Sequence, residues 1–281
     1  MQSIKINQFN LETTLASGQC FGWKKIDGWF YGEIDGKPIK LKQEKNRLLF
    51  IGSSEEEVRN YFALDENVGS IYKRISKNDP ILKKAVTEFN GLRILRQDPW
   101  ESAVSFVCSA FSNIPRIEKK LSRLRNTYGK QVSFERNSFY LFPKPEALAK
   151  ASMKDLRACG LGFRDKYVKA LGQRMSKFDI SKLKKKSYAE AKTSLIKSAG
   201  IGEKVADCIC LFSLDKHEAF PIDVWIARAM KEYYSTQIRK MFPKTKFSYK
   251  DIQEFARRKW GKDTGYAQQF LYEYSRKHLK K

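Results

Sequence analysis

The residue types best suited to chemistry cluster in Ala199-Gly200-Ile201-Gly202-Glu203-Lys204-Val205-Ala206-Asp207-Cys208. Two glycines around one apolar residue make a tight hairpin whose backbone can approach a partner closely. An apolar helix end precedes it and a second helix follows, so residues of about 190–214 read as a helix-hairpin-helix. The amides around Gly200 and Gly202 then suit a phosphate. Lys204 falls in the first turn of the second helix, where the helix dipole and any burial disfavour positive charge. An amine nucleophile must be neutral to attack, so this is a favourable place for one. Cys208 lies one turn further along the same face. Downstream comes Phe220-Pro221-Ile222-Asp223-Val224-Trp225. Asp223 precedes an apolar helix, as an N-cap does, and its carboxylate could also stabilise positive charge building on a substrate. Each feature has a plainer reading: a Gly-x-Gly turn between packed helices, a solvated lysine, a simple cap. Their combination points to nucleophilic chemistry beside a bound phosphate.

These residues need a scaffold, and the chain pattern supplies one. Residues 20–51 alternate aromatic and β-branched stretches with turn signals at Asp27-Gly28, Asp35-Gly36 and Lys45-Asn46, which predicts strands. A short helix starts after Ser54. From about residue 80 the pattern turns helical. Asp98-Pro99-Trp100-Glu101 reads as a helix start, with Ala103 to Phe111 as a buried helix. Pro115 opens another helix ending near Gly129. Ser152/Asp155 and Ser248/Asp251 are further capping patterns, and Lys182–Lys186 reads as a basic loop. The predicted class is α+β: residues 1–90 form a small antiparallel sheet domain with short helices, and 91–281 an all-helical region that carries the hairpin and its lysine.

Charge is distributed unevenly. The 281 residues carry a net +24; residues 1–90 hold 14 Lys/Arg against 12 Asp/Glu, and residues 91–281 hold 41 against 19. Nearly all the excess lies in the second part, which suits a polyanion, nucleic acid above all. No apolar run reaches the ~20 residues of a membrane helix, and the first nine residues lack a signal-peptide pattern. The expectation is a soluble intracellular protein, in cytoplasm or nucleoid if prokaryotic and in the nucleus if eukaryotic. Five cysteines (Cys20, Cys108, Cys159, Cys208, Cys210) without a C-x-x-C pair, and only two histidines, argue against a disulfide framework and a zinc site. No metal or organic cofactor is implied.

The hairpin, its lysine and the later Pro-containing loop with Asp resemble the helix-hairpin-helix-Gly/Pro-Asp DNA glycosylase superfamily. Within it the chain is similar to the 8-oxoguanine DNA glycosylases. Ordered matching segments run along nearly its whole length: Ser17–Trp23, Leu95–Pro99, Ser105–Ser109, Gly160–Arg164, Gly202–Leu211 and Gly265–Gln268. The resemblance implies a bifunctional glycosylase and β-lyase acting on duplex DNA that contains 8-oxoguanine. Lys204 would attack C1′ of a flipped nucleotide and hold the sugar as a Schiff base, with Asp223 in support. The Gly18 carbonyl would read N7–H, Gln268 the Watson–Crick edge, and Cys208 and Tyr272 would sandwich the ring. Phe163 would wedge into the stack, and Arg164 and Arg116 would contact the orphaned cytosine. Two departures stand out. Phe111 falls where the family has a cytosine-bonding Asn, which predicts a relaxed opposite-base preference. Trp225 falls where a phosphate-contacting His is usual. Two alternatives share the scaffold: a monofunctional glycosylase for alkylated purines, against which Lys204 argues, and a non-catalytic DNA-binding protein. A monomer is expected.

Overall fold

A computed structural model describes residues 1–135 and 137–279. The N-terminal sheet has five antiparallel strands, β1 (Gln2–Lys5), β2 (Lys24–Ile26), β3 (Trp29–Ile34), β4 (Lys37–Glu44) and β5 (Arg47–Ile51), in the order β1-β5-β4-β3-β2. The expected turns join β2 to β3, β3 to β4 and β4 to β5. Asp27, Asp35 and Lys45 all take positive φ there, as tight hairpins demand. β1 lies before the stretch read as strands. It pairs Ile4 with Leu48 and so seals the sheet's edge.

Alternate residues of the sheet face one way. Ile34, Ile39, Leu41, Leu48 and Phe50 share a core of their own with Val58 of the following helix, Glu55–Tyr61, and with Phe62 at its C-cap. Ser54 closes a complete capping box with Glu57 at that helix start. The helix expected after Ser54 is present, an earlier one spans Leu11–Ala16, and helices Val68–Ser76 and Pro80–Glu88 pack into the larger, C-terminal core.

That larger core holds the site-bearing helices. Asp98 caps Pro99–Ser109 through the Glu101 amide, and all but two of that helix's residues are buried. The helix ends at Ser109, short of Phe111, which is 95% exposed. Ile114–Tyr128 follows as expected, with Asn113 as its cap. The body carries one interruption the sequence pattern did not single out, a hairpin of β6 (Gln131–Phe134) and β7 (Asn137–Tyr140). Lys182–Lys185 lie in a short 3-10 helix, Ile180–Lys185, because Ile180 and Leu183 turn into the core; only Lys186 falls in loop. All five cysteines are buried and free, and no described helix is long and apolar enough to cross a membrane.

Candidate active site

The helix-hairpin-helix is formed by Tyr188–Ile196 and Glu203–Ser213. Gly200 at its turn has φ +84° and lies against Tyr167: an added Cβ would stand 2.6 Å from the Tyr167 Cβ. Ile201 is buried and plugs the turn into the core, while Gly200, Gly202 and Glu203 stay exposed. Gly202 is an N-cap without a side chain, so the first amides of the second helix face outward with no cap over them.

Lys204 emerges half-buried from that first turn. Its Nζ donates to Ser109 Oγ at 3.2 Å and lies 5.2 Å from the Phe106 ring centroid. Both partners belong to the helix Pro99–Ser109, which packs against the lysine's own helix through stacked Phe106 and Phe212. Cys208, one turn on, is 3% exposed; burial pushes its thiol up to about 12, so it presents a neutral, polarisable surface. Asp223 caps the helix Val224–Met241 by accepting from the Ile226 amide at 2.8 Å. Burial holds its carboxyl above the usual carboxylate range. The Ile226 amide and the Lys204 ammonium pull the other way without prevailing. Lysine and aspartate therefore lie within each other's field.

Beside them lies the narrow seam where Tyr272 packs against Gly18. Gly18 has φ +70°, and a Cβ there would stand 2.8 Å from Tyr272 Oη, so only glycine lets the two approach so closely. Its neighbours are fixed: Ser17 O accepts from Gln269 Nε2 at 2.7 Å, and the buried Gln19 amide binds Ser17 Oγ, Arg93 O and the Leu95 amide. Burial holds the Tyr272 hydroxyl well above its ordinary range, Asp223 adds to the shift, and Arg276, which lies over the ring, opposes it. Gln268 is 4% exposed. Its Nε2 donates to Pro221 O, and its Oε1 is buried with no partner within the protein. A buried amide oxygen left open is costly unless a ligand completes it.

The remaining sequence-predicted residues gather on a neighbouring edge. Phe163 is 53% exposed, and its ring lies 6.4 Å from that of Phe111. Phe111 sits at φ +48°, strained for a bulky residue. Two cations fix its turn from beneath: Lys120 Nζ binds Ser112 Oγ at 2.9 Å and Cys108 O at 3.3 Å, and Arg164 donates to Ala110 O. Arg164 is thus turned inward and buried, also bonded to Leu161 O and lying over the Phe163 ring. Arg116 is exposed at the start of its helix. Trp225 is half-buried under Arg228. Ser109, Phe106, Lys120 and Gln269 were not singled out from sequence. Ser109 and Phe106 lie inside a segment quoted for the resemblance, which was the available signal.

Residues 2–102 match the family model described as the 8-oxoguanine DNA glycosylase N-terminal domain, and residues 104–258 the HhH-GPD superfamily of base excision DNA repair proteins. The chain belongs to the helix-hairpin-helix 8-oxoguanine DNA glycosylase family. The N-glycosylase/DNA lyase OGG1 of Arabidopsis thaliana is 30% identical over 94% of this glycosylase and 77% of its own length. The N-glycosylase/DNA lyase of Saccharomyces cerevisiae is 26% identical over 96% and 84%. The Clostridium acetobutylicum 8-oxoguanine glycosylase/lyase, solved with duplex DNA containing cytosine opposite 8-oxoguanine, superposes with a TM-score of 0.88. It is 33% identical, over 99% of this glycosylase and 98% of that chain. The N-terminal sheet domain and the helical body are both accounted for by the family.

Proposed function

We propose that this protein excises 8-oxoguanine from duplex DNA and then nicks the strand through a covalent lysine intermediate. The observation that carries the reading is Lys204 within electrostatic reach of the buried Asp223 carboxyl, with Tyr272, packed on Gly18, within reach of the same carboxyl. The neutral Lys204 amine attacks C1′ of the flipped nucleotide. The C1′–N9 bond breaks, its electron pair leaves with the base, and the base takes up the proton that the attacking Lys204 nitrogen gives up; the ring oxygen, on opening, takes a proton from solvent. Positive charge that builds on the sugar is met by the Asp223 carboxylate. Loss of the ring oxygen as an alcohol gives an iminium at C1′, and proton loss from C2′ then expels the 3′ phosphate.

Discrimination follows from one hydrogen atom. Guanine offers N7 as an acceptor; the 8-oxo base carries a hydrogen there. Facing the Gly18 carbonyl, the first leaves acceptor against acceptor and the second makes a bond. Polar mismatches of this kind discriminate better than shape. The open Oε1 of Gln268 accepts from the Watson–Crick edge, and Cys208 and Tyr272 close on the two ring faces. Gly200 and Gly202 present amides to phosphate. Phe163 and Phe111 enter the stack, Arg116 faces the opposite base, and Arg164 braces the turn between them. With a ring rather than an amide at Phe111, excision depends only weakly on the opposite base.

Borohydride trapping on a duplex with 8-oxoguanine opposite cytosine tests the reading. The wild type is expected to give a covalent adduct and Lys204→Gln none. No adduct from folded wild type, on this lesion or on an abasic site, would discard the lysine mechanism. The outcome would then favour an aspartate-only glycosylase or a binding protein.

A further inference from the structure

Asp207 lies three residues after the nucleophile, on the same helix, and its side chain is fully buried. It is not part of the Gly18–Tyr272 seam. Its Oδ1 accepts from Tyr188 Oη at 2.5 Å, and its Oδ2 from Tyr249 Oη at 2.7 Å, Gln253 Nε2 at 2.7 Å and Lys192 Nζ at 3.1 Å. Two other helices, Tyr188–Ile196 and Tyr249–Trp260, thus converge on one carboxylate. Lys192 supplies the countercharge and reaches Glu203 at 3.1 Å, the residue before Lys204. A buried ion pair adds little net stability over an apolar replacement, so stability alone does not account for this cluster.

Its other contacts give it a purpose. Tyr249 Oη, while donating to Asp207, accepts from the Ile222 amide at 3.2 Å. Gln253 Nε2, while bonded to Asp207, also reaches Phe220 O at 3.2 Å. Between these two grips, Pro221 O accepts from Gln268 Nε2. Three successive main-chain groups leading to Asp223 are therefore held, and two of the three holds terminate on the helix of Lys204.

We propose that Asp207, through Tyr249 and Gln253, is a positioning hub that sets the Asp223 carboxylate in register with Lys204. The hub rests on the assignment of Lys204 and Asp223 made above. None of its members touches the reacting atoms. They act by fixing a backbone: Lys204 is tied to the hub through the helix, and Asp223 through the strap 220–222. A rigid scaffold of this kind matters because misplacing a reacting group by ~1 Å can cost roughly a hundredfold in rate.

The test is a cycle of Tyr249→Phe and Asp223→Asn, read as single-turnover excision of 8-oxoguanine, with binding to an uncleavable abasic-analogue duplex and thermal unfolding measured in parallel. Tyr249→Phe deletes the one atom that joins the Ile222 amide to Asp207. Excision is expected to slow by on the order of tenfold to a hundredfold, with duplex affinity kept within a few-fold. In the Asp223→Asn background the same substitution is expected to cost nothing further, since the carboxylate it positions is gone. A purely structural role would lower the melting temperature while leaving the rate of folded enzyme unchanged, and would overturn the hub. Equal slowing in both backgrounds would also overturn it, because the effect would not pass through Asp223. If Asp223→Asn alone excised at the wild-type rate, the assignment of Asp223 would fall and the hub with it, an outcome distinct from the other two. Should Tyr249→Phe not fold, Gln253→Met removes the second grip and carries the same cycle.

Discussion

Phe111→Asn should make this enzyme both slightly more stable and more selective. Phe111 holds φ +48°, a conformation costing an ordinary L-residue about 1 kcal/mol that asparagine adopts readily. The ring is 95% exposed, so little burial is lost on removing it. Its edge contact with Phe163 is solvent-exposed and worth about 0.5 kcal/mol at most. The balance is a gain of roughly 0.5 kcal/mol, a rise of about 1–2 °C in melting temperature for a chain of this size. Against DNA, an amide able to bond cytosine should restore discrimination of about 1–3 kcal/mol per specific contact, roughly fivefold to 150-fold. The assay is single-turnover excision of 8-oxoguanine placed opposite C, A, G and T. Wild type should process the four duplexes within a few-fold of one another, and F111N should favour cytosine. Strict cytosine dependence in the wild type would refute the reasoning at its root. A melting temperature several degrees lower in F111N would show that the ring is packed rather than presented.

Gly18→Ala should lower stability by about 1–2 kcal/mol through its left-handed backbone alone and, by displacing Tyr272, slow excision; unchanged excision of the lesion would dismiss the seam as the base site. Gly200→Ala meets Tyr167 at its Cβ, which cannot swing away, whereas Gly202 has φ −89° and open space around it. Urea unfolding should therefore rank Gly200→Ala well below Gly202→Ala, and equal midpoints would contradict the hairpin geometry. Asp223 has a folded carboxyl raised by burial above its ordinary 3.8. Between those values the folded state keeps a proton the unfolded state has released, so stability falls as pH rises through that window. Excision needs the ionised form, so its acid limb should lie above the ordinary carboxylate range. Asp223→Asn should abolish that limb and most activity while keeping the helix cap and a neutral-pH melting temperature no lower than wild type; a marked loss of stability would assign Asp223 a structural role only.

What the sequence made legible was what local pattern encodes. Asp98, Ser54, Ser152 and Ser248 mark helix starts because capping is a contact across three residues. Gly-Ile-Gly with Lys204 is legible for the same reason, and the alternation of β3 to β5 because the sheet buries one face. What escaped depends on distant partners. β1 shows itself only by pairing with β5 across the domain. Phe111 reads as the tail of a buried helix, yet the chain breaks at Ala110, where Arg164 from far downstream takes the carbonyl. The bonds of Arg164 to Ala110 O and Leu161 O are likewise set by the fold and carry no local signal. Tyr188, Tyr249 and Gln253 carry no local signal, since their meaning lies in a carboxylate on a third helix.

The bond from Gln269 Nε2 to Ser17 O spans 252 positions of sequence, and it has a consequence for the life of the molecule in a cell. On the assignments proposed above, Lys204 and its hairpin are assembled from one continuous stretch, but the Gly18–Tyr272 seam that would receive the base exists only when the early and late segments have met. Contacts of such separation form late and are the first to be lost if an end detaches. Competence to inspect a base is therefore tied to completion of the fold. A newly made or nicked polypeptide could grip DNA through its amides and present an amine, yet it would have no formed place in which to accept a base. Genomic safety and structural integrity rest on the same closure.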